Sequence, residues 1–328
     1  MLENVRLSVL DLAPIRDEGS IAETFENSVS LARRVEALGY HRYWLAEHHN
    51  IDGIASAATA VLIGHIASRT STMRVGSGGV MLPNHAPLVI AEQFGTLATL
   101  YPGRIDLGLG RAPGTDGETL RALGRSPQAA DNFPQMVQEL AGYLDDATPR
   151  QTVKAIPGQG TKVPLWLLGS SGFSAQLAAR LGLPFAFAGH FAPGYLQQAI
   201  QLYRDNFQPS SVLERPYLML GIPVIAADSD EEAAFLSTTH QQKFLNLLRG
   251  RSTRAQPPVE ELDWHPHERA RVMQMLSAAV VGGPETVRQQ LDEFLEGTGA
   301  DELMINSDFY RPEDRIRSYE IVMDVAQG

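Results

Sequence analysis

Short apolar runs alternate with longer amphipathic segments along the chain, a pattern typical of β-α units built around a parallel sheet. Amphipathic spacing of three and four residues predicts helices, the first of them capped by Ser20 and ended by Gly39. The apolar runs predict strands at residues 6–10, 43–46, 73–76, 104–109, 163–168, 184–188, 217–227 and 302–305. Further helices are predicted at 56–68, 87–100, 133–144, 230–248 and 285–295.

Most of the conspicuous polar or glycine-rich clusters come directly after a predicted strand. In a closed barrel all such strand ends converge on one mouth, whereas an open sheet gathers only those near its switch point. We therefore predict a (β/α)8 TIM barrel, one domain over residues 1–328, with insertions after strands 4 and 7; a doubly wound open sheet is the alternative. The clusters are Asp11, Glu47–His49, Gly76–Gly79, Arg111, Gly169–Ser171, His190 and Asn306–Asp308.

Charge and composition narrow the class of protein. The chain has 27 Lys and Arg residues against 38 Asp and Glu residues, a net charge of −11 that disfavours a nucleic-acid partner. It has no cysteine, which excludes disulfides and thiolate chemistry. The amino-terminal residues carry no signal-peptide pattern, and no apolar run is long enough for a membrane span. We expect a cytoplasmic protein that does not bind membranes.

The sequence Glu47-His48-His49 ends the second predicted strand. Adjacent strand residues face opposite sides, so at most one of the two histidines faces the mouth, and a metal site from this pair is disfavoured. One histidine acting as a general acid or base is the functional interpretation. A histidine that only forms hydrogen bonds at a strand end is an equally good one.

Two further clusters suggest a phosphorylated, flat ligand. The glycines of Gly76–Gly79 permit close approach of a planar cofactor to bare backbone, and a sharp turn explains them equally well. Arg111 follows a strand and is typical of a phosphate ligand. Residues 170–174 open a helix, where serine hydroxyls and free backbone amides either bind a phosphate or simply cap the helix.

Other catalytic and metal chemistries are disfavoured. The pair His265 and His267 has no accompanying carboxylate cluster, so a solvated loop is the better interpretation and no metal site is predicted. No nucleophile-elbow pattern of the Gly-x-Ser-x-Gly type is present, which argues against a hydrolase triad.

Three segments, residues 43–49, 75–83 and 102–111, together resemble the bacterial luciferase-like family of flavin-dependent monooxygenases. Within that family they are most similar to its non-luminescent, single-subunit oxidoreductases. The resemblance extends over nearly the whole chain. Its luminescent members carry a cysteine where this chain has Gly110, so light emission is not expected. A later segment, residues 284–287, also matches the family.

The resemblance implies an FMNH2-dependent monooxygenase in which a flavin C4a-peroxide, formed with O2, oxygenates a small organic substrate. It also implies a homodimer and a separate NAD(P)H:flavin reductase that supplies the FMNH2. An F420-dependent hydride-transfer dehydrogenase and a non-catalytic flavin-binding protein are the alternatives. By motif, His48 is the expected catalytic residue, and residues 78–79 match a non-prolyl cis peptide beside the flavin ring. The expected cofactor-binding residues are Ser77, Gly78, Gly79, Arg111, Ser170, Ser171 and Ser174.

The insertion after strand 7 corresponds to the region where luminescent members carry a mobile loop. We expect residues 249–267 to act as a lid that excludes water from the reacting flavin.

Overall fold

The computed structural model describes all residues from 1 to 328 and contains nine parallel strands. Eight of them close into a barrel, because β6 pairs with β7 and thereby joins the two ends of the sheet. The strands are β1 (Arg6–Asp11), β2 (Arg42–Leu45), β3 (Arg74–Met81), β4 (Ile105–Gly110), β5 (Leu165–Gly169), β6 (Phe185–Phe187), β7 (Leu218–Ala226), β8 (Val280–Gly282) and β9 (Glu302–Asn306).

Helices follow the strands and cover the outside of the barrel, as the predicted (β/α)8 architecture requires. None of them combines the length and the apolar character that crossing a membrane needs. They are α1 (Ile21–Leu38), α2 (Thr59–Ala67), α3 (Pro87–Leu100), α4 (Gly117–Ala122), α5 (Phe133–Leu144), α6 (Gly172–Leu181), α7 (Leu196–Asp205), α8 (Asp230–Leu248), α9 (Pro266–Met275), α10 (Pro284–Thr298) and α11 (Pro312–Gln327).

Local sequence explains the boundaries of α1. The Ser20 hydroxyl accepts from the Glu23 backbone N–H at 3.1 Å, and the Glu23 carboxylate accepts from the Ser20 N–H at 2.8 Å, forming a capping box. Gly39 ends the helix at a φ of 91°, a conformation that favours glycine. Both boundaries match those predicted from the sequence.

Two hydrophobic layers form because strand residues alternate between the faces of the barrel wall. The larger cluster, of 60 buried residues, packs the outer strand faces against the helices. The smaller one fills the barrel interior, where the Trp44 and Trp166 rings meet edge to face with centroids 5.2 Å apart. The interior cluster comprises Leu10, Trp44, Ala46, Trp166, Ala186, Met219 and Met304.

The amino-terminal end of the barrel is closed by a buried charge network. Arg42 at the start of β2 donates from Nη1 to Asp106 Oδ2 at 2.6 Å and from Nε to Glu302 Oε1 at 2.7 Å. Asp106 lies in β4 and Glu302 in β9, so one guanidinium bridges three strands. The candidate functional residues lie at the opposite end of the barrel, where the strands end.

The structure corrects the predicted boundaries at three places. Strand β3 was predicted to end at Gly76 but runs on to Met81, because pairing with β4 resumes at Val80 after a register shift that skips Gly78 and Gly79. The predicted insertion after strand 7 contains two elements that the sequence pattern did not indicate. These are α9 and the short strand β8, which pairs only with the far end of β7.

Candidate functional site

The residues that follow β2 separate into two groups, as strand alternation predicts. Glu47 and His49 face α3, where the buried Glu47 carboxylate binds His49 Nε2 at 3.0 Å and His85 Nε2 at 2.9 Å. Burial by itself raises the pKa of Glu47, but its hydrogen bonds with the two imidazoles outweigh this effect and hold that pKa below its ordinary value. Glu47 also accepts from the Met81 N–H at 3.2 Å, so it ties the end of β2 to the end of β3.

His48 belongs to the other group and lies half-buried at the mouth. Its backbone N–H donates to Ser56 O at 3.0 Å, and its Nδ1 lies 3.4 Å from Gly114 O. Burial lowers the pKa of the imidazole, and the nearby Lys243 charge lowers it further. His48 is therefore neutral near pH 7 and able to accept a proton.

The glycines of β3 and β4 give one wall of the barrel no side chains. Gly76 and Gly78 face the interior, since a Cβ at either position would lie within 3.1 Å of Trp44. On β4, a Cβ at Gly108 would meet Leu168 at 2.8 Å. The peptide bond between Gly78 and Gly79 is cis, in agreement with the family resemblance.

Ser77, which the motif match includes among the cofactor-binding residues, has its hydroxyl engaged within the barrel wall. It is fully buried, donates to Gly108 O at 2.9 Å and accepts from the Gly108 N–H at 2.9 Å. These bonds join β3 to β4 beside the register shift. The Ser77 hydroxyl therefore stabilises the pairing of β3 with β4, and its role in binding a cofactor stays a prediction.

Arg111 and the start of α6 come together on the rim of the mouth. The Arg111 guanidinium carbon lies 4.1 Å from the centroid of the Phe173 ring, a cation–π contact. Phe173 is the second residue of α6, whose N-cap is Ser171, and the Ser171 side chain makes no capping hydrogen bond. An arginine, an uncommitted hydroxyl and the unsatisfied amides of a helix N-terminus thus lie in one place.

Ser170 and Ser174 lie at the same helix start. Together with Arg111, Ser171 and Phe173 they form what we call the phosphate-type cluster. Ser170 is half-buried directly before the N-cap, and Ser174 is 4% exposed on the first turn of α6. A Cβ at Gly169 would lie 2.8 Å from Ser174 Oγ, so the glycine at the end of β5 leaves room for that hydroxyl. The helix predicted to begin at these serines is confirmed, and their role in binding a phosphate stays a prediction.

The segment predicted as a lid crosses the loops that follow β1 and β2. Ala255 exchanges backbone hydrogen bonds with the β1 loop, donating to Ile15 O at 2.9 Å and accepting from the Asp17 N–H at 2.7 Å. Asp52 Oδ1 accepts from the Thr253 N–H at 3.1 Å. These contacts place the segment beside the mouth, and its movement remains a prediction.

Two residues of α8 that reach the mouth, His240 and Lys243, are not among those predicted from the sequence. His240 is 2% exposed, and Lys243 donates to Asp308 Oδ2 at 2.8 Å. Their spacing of three residues puts both on one face of a helix but does not indicate that this face meets the mouth. No group of three or more His, Cys, Asp or Glu side chains is arranged to hold a metal ion.

The half-buried His190 and the buried His240, both near Lys243, predict a pH dependence of stability. Burial lowers the pKa of His190 and of His240 to about 4 each, against about 6.5 in an unfolded chain. Between these values the unfolded chain binds more protons, so the free energy of unfolding falls as the pH is lowered. The slope is up to about 1.4 kcal/mol per pH unit for each histidine.

Urea unfolding between pH 6.5 and 5 measures this slope. We expect His240→Phe to reduce the slope relative to wild type, because one of the two protonations is removed. The exposed His267 offers a control, since His267→Gln should leave the slope unchanged. An equal slope in wild type and His240→Phe would contradict the assignment.

The chain is similar to known proteins over most of its length. The family profile "Luciferase-like monooxygenase" matches residues 5–302. A luciferase-like monooxygenase of Escherichia coli (strain K12) is 55% identical over 99% of this chain and 98% of its own. The N-acetyl-S-alkylcysteine monooxygenase of Bacillus subtilis (strain 168) is 38% identical over 70% of each chain.

A solved structure shows the same fold. The crystal structure of apo-MsnO8 superimposes with a TM-score of 0.88, at 35% identity over 98% of both chains. The closed parallel barrel and the family match agree. The chain belongs to the luciferase-like monooxygenase family of flavin-dependent oxidoreductases.

Proposed function

We propose that the barrel mouth binds reduced FMN and that the protein is an FMNH2-dependent monooxygenase of a small organic substrate. A separate NAD(P)H:flavin reductase would supply the reduced flavin. The observation that carries the proposal is the cluster of Arg111, Phe173 and the uncapped Ser171 at the start of α6. This cluster has the donors that a phosphate monoester needs.

The phosphate fits this cluster because every free group in it is a hydrogen-bond donor or carries positive charge. The α6 N-terminus contributes backbone amides and the positive end of the helix dipole, and Arg111 contributes a planar pair of donors. Stacking on Phe173 fixes the plane of the guanidinium. Ser170, Ser171 and Ser174 would supply hydroxyl donors.

The ring system fits the wall formed by β3 and β4. A flat tricyclic ligand needs a surface without protruding side chains, and Gly78, Gly79 and Gly110 provide one at the mouth end of these strands. A Cβ at Gly110 would lie 2.8 Å from Met81 Sδ, so a larger residue there would disturb the wall. When bound, reduced flavin supplies the electrons and the site that reacts with O2.

His48 would hold or move a proton beside the ring. Its lowered pKa keeps the imidazole neutral, and its contact with Gly114 O orients Nδ1 and leaves Nε2 for the reaction. The 249–267 segment would limit the entry of water, because it already bridges the loops after β1 and β2.

A direct test compares the binding affinity for FMN with that for riboflavin, which lacks the phosphate. Arg111→Ala should weaken FMN binding by about tenfold to 150-fold, because charge-assisted hydrogen bonds contribute about 1.5–3 kcal/mol. Riboflavin affinity should barely change. Isothermal titration with both ligands measures the difference.

Arg121→Ala is the matched control, since this arginine is 74% exposed on α4. It should leave both affinities unchanged. Equal losses for FMN and riboflavin in Arg111→Ala would contradict the phosphate assignment.

The choice between FMN and F420 needs its own experiment. Solved structures of this fold include an FMN complex of a monooxygenase and an F420-dependent alcohol dehydrogenase, both under 20% identical, so their likeness concerns the fold alone. Anaerobic mixing with reduced FMN, followed by oxygen, should give a transient absorbance at the flavin C4a-peroxide band. Its absence together with F420-linked turnover would favour the dehydrogenase, and binding without any turnover would favour a flavin-binding protein.

The expected homodimer has a candidate face on α2 and α3. Both helices expose large apolar side chains, namely Val61 at 72%, Val89 at 44% and Leu100 at 63%. Exposed apolar residues gathered on neighbouring helices are typical of subunit interfaces. Light scattering of Val61→Lys against wild type tests this face, with a shift toward monomer expected.

A further inference from the structure

Three polar side chains line the wall of the mouth that faces the glycine wall of β3 and β4. His190 follows β6, while His240 and Lys243 lie on one face of α8. Asp308, two residues beyond the end of β9, binds Lys243 Nζ at 2.8 Å. None of these groups belongs to the phosphate-type cluster at α6.

Strand β7 positions His190. Residues 219 and 221 share the interior face of this strand, and Met219 belongs to the interior cluster. A Cβ at Gly221 would lie 2.4 Å from His190 Nδ1, so the missing side chain makes room for the imidazole. His190 therefore lies one layer above Met219, toward the mouth.

The register of β7 and β9 places Asp308 and Lys243 beside this imidazole. Gly221 pairs with Met304, and Pro223 pairs with Asn306, so the residues after β9 rise next to His190. Burial is the main cause of the lowered pKa of His190, and the smaller electrostatic effects of Asp308, His48, Lys243 and His240 on that pKa are consistent with this proximity. The three side chains thus form one group.

Each imidazole of this group has one ring nitrogen that is buried and unpaired, although His190 as a residue is only half-buried. Nδ1 of His190 and Nδ1 of His240 are buried without any hydrogen bond. The His240 ring is held by stacking on Phe244, with centroids 5.1 Å apart. Buried polar atoms are ordinarily paired, and unpaired ones point to a ligand or to bound water.

We propose that His190, His240 and Lys243 bind the carboxylate of an acidic substrate. This inference rests on the proposed function, since it assigns the substrate of the same mouth. A carboxylate accepts several hydrogen bonds at once, and the group offers two imidazoles and the ammonium protons that Asp308 leaves unused.

Other polar groups match the site less well. A cationic substrate would face the Lys243 ammonium, which is only 16% exposed and cannot turn away into solvent without leaving Asp308. A single hydroxyl would satisfy one imidazole and leave the second unpaired. A carboxylate is the small group that can accept hydrogen bonds from all three side chains.

Matched pairs of acid and amide test the proposal. Benzoate against benzamide and hexanoate against hexanamide differ in charge but little in size. Binding is measured twice, by the thermal shift of the flavin-free protein and by the difference spectrum of the FMN-loaded protein. We expect each acid to bind at least tenfold more tightly than its amide.

Two variants and a control localise the effect. His190→Asn and His240→Phe should each reduce the acid preference severalfold, and the second retains the stacking on Phe244. His41→Gln, directly before β2 at the amino-terminal end of the barrel, should keep the full preference. Equal binding of acid and amide, no binding of any acid, or a preference unchanged in both variants would overturn the proposal.

FMN affinity is measured separately in the same samples. Absence of the acid preference in the wild-type protein, with intact FMN binding, refutes the carboxylate site alone. Failure of FMN to bind refutes the proposed function, while the flavin-free measurement still decides the acid preference.

Discussion

His48→Ala should lower substrate turnover by about 10²- to 10⁴-fold, the range that a positioned acid or base contributes. FMN affinity should stay within about twofold of wild type, because the phosphate-type cluster lies at α6 and does not include His48. A screen of small organic compounds with wild-type enzyme supplies the substrate. Turnover is then measured as substrate-dependent NAD(P)H consumption coupled through a flavin reductase.

The pH dependence of wild-type turnover gives a second measure of the same residue. Because burial lowers the pKa of His48, the neutral imidazole persists below pH 6.5, and turnover should decline only at more acidic pH. His49→Gln is the matched control, since His49 binds Glu47 and faces away from the mouth. Equal turnover in His48→Ala and wild type would exclude the catalytic role.

Arg42→Leu should lower the free energy of unfolding by about 3–5 kcal/mol, the usual result of leaving a buried charge without its partner. Arg42 is 6% exposed, and Glu302, which it binds, is fully buried. Without the guanidinium, Glu302 retains only hydroxyl donors, among them Tyr217 at 2.8 Å. Urea unfolding measures the loss.

The control for the Arg42→Leu variant is an ion pair on the protein surface. Arg34 binds Glu320 at 2.7 Å but is 47% exposed, so Arg34→Leu should cost less than about 1 kcal/mol. Arg42→Leu combined with Glu302→Gln should recover part of the loss, because the unpaired charge is then removed. A loss in Arg42→Leu as small as that in Arg34→Leu would show that this network does not stabilise the barrel.

The sequence predicts the eight barrel strands well because each is a short apolar run flanked by polar residues. It also predicts the gathering of His48, Arg111 and Ser171 at one end, since the carboxyl ends of barrel strands converge whatever the details of the loops. The capping box at Ser20 and Glu23 is equally visible, because it depends only on contacts three residues apart.

The errors arise where tertiary contacts override local pattern. Four residues with three glycines resemble a turn, but the two hydrogen bonds of Ser77 with Gly108 join β3 to β4, and the pairing resumes at Val80. Strand β8 has only three residues, too few for a recognisable pattern, and exists because β7 extends beyond the barrel to pair with it.

His240 and Lys243 were missed for a related reason. Their helix lies in an insertion, and nothing in its own sequence says which face meets the mouth. Only the ion pair between Lys243 and Asp308, across 65 residues of sequence, identifies that face.

A crystal structure of the protein soaked with FMN tests the central claim, that separate segments meet around one flavin site, most directly. We predict a phosphate bound by Arg111 and the α6 N-terminus at Ser171, with the ring against Gly78–Gly79 and His48 beside it. FMN density elsewhere on the molecule, or a phosphate bound away from Arg111, would contradict the claim.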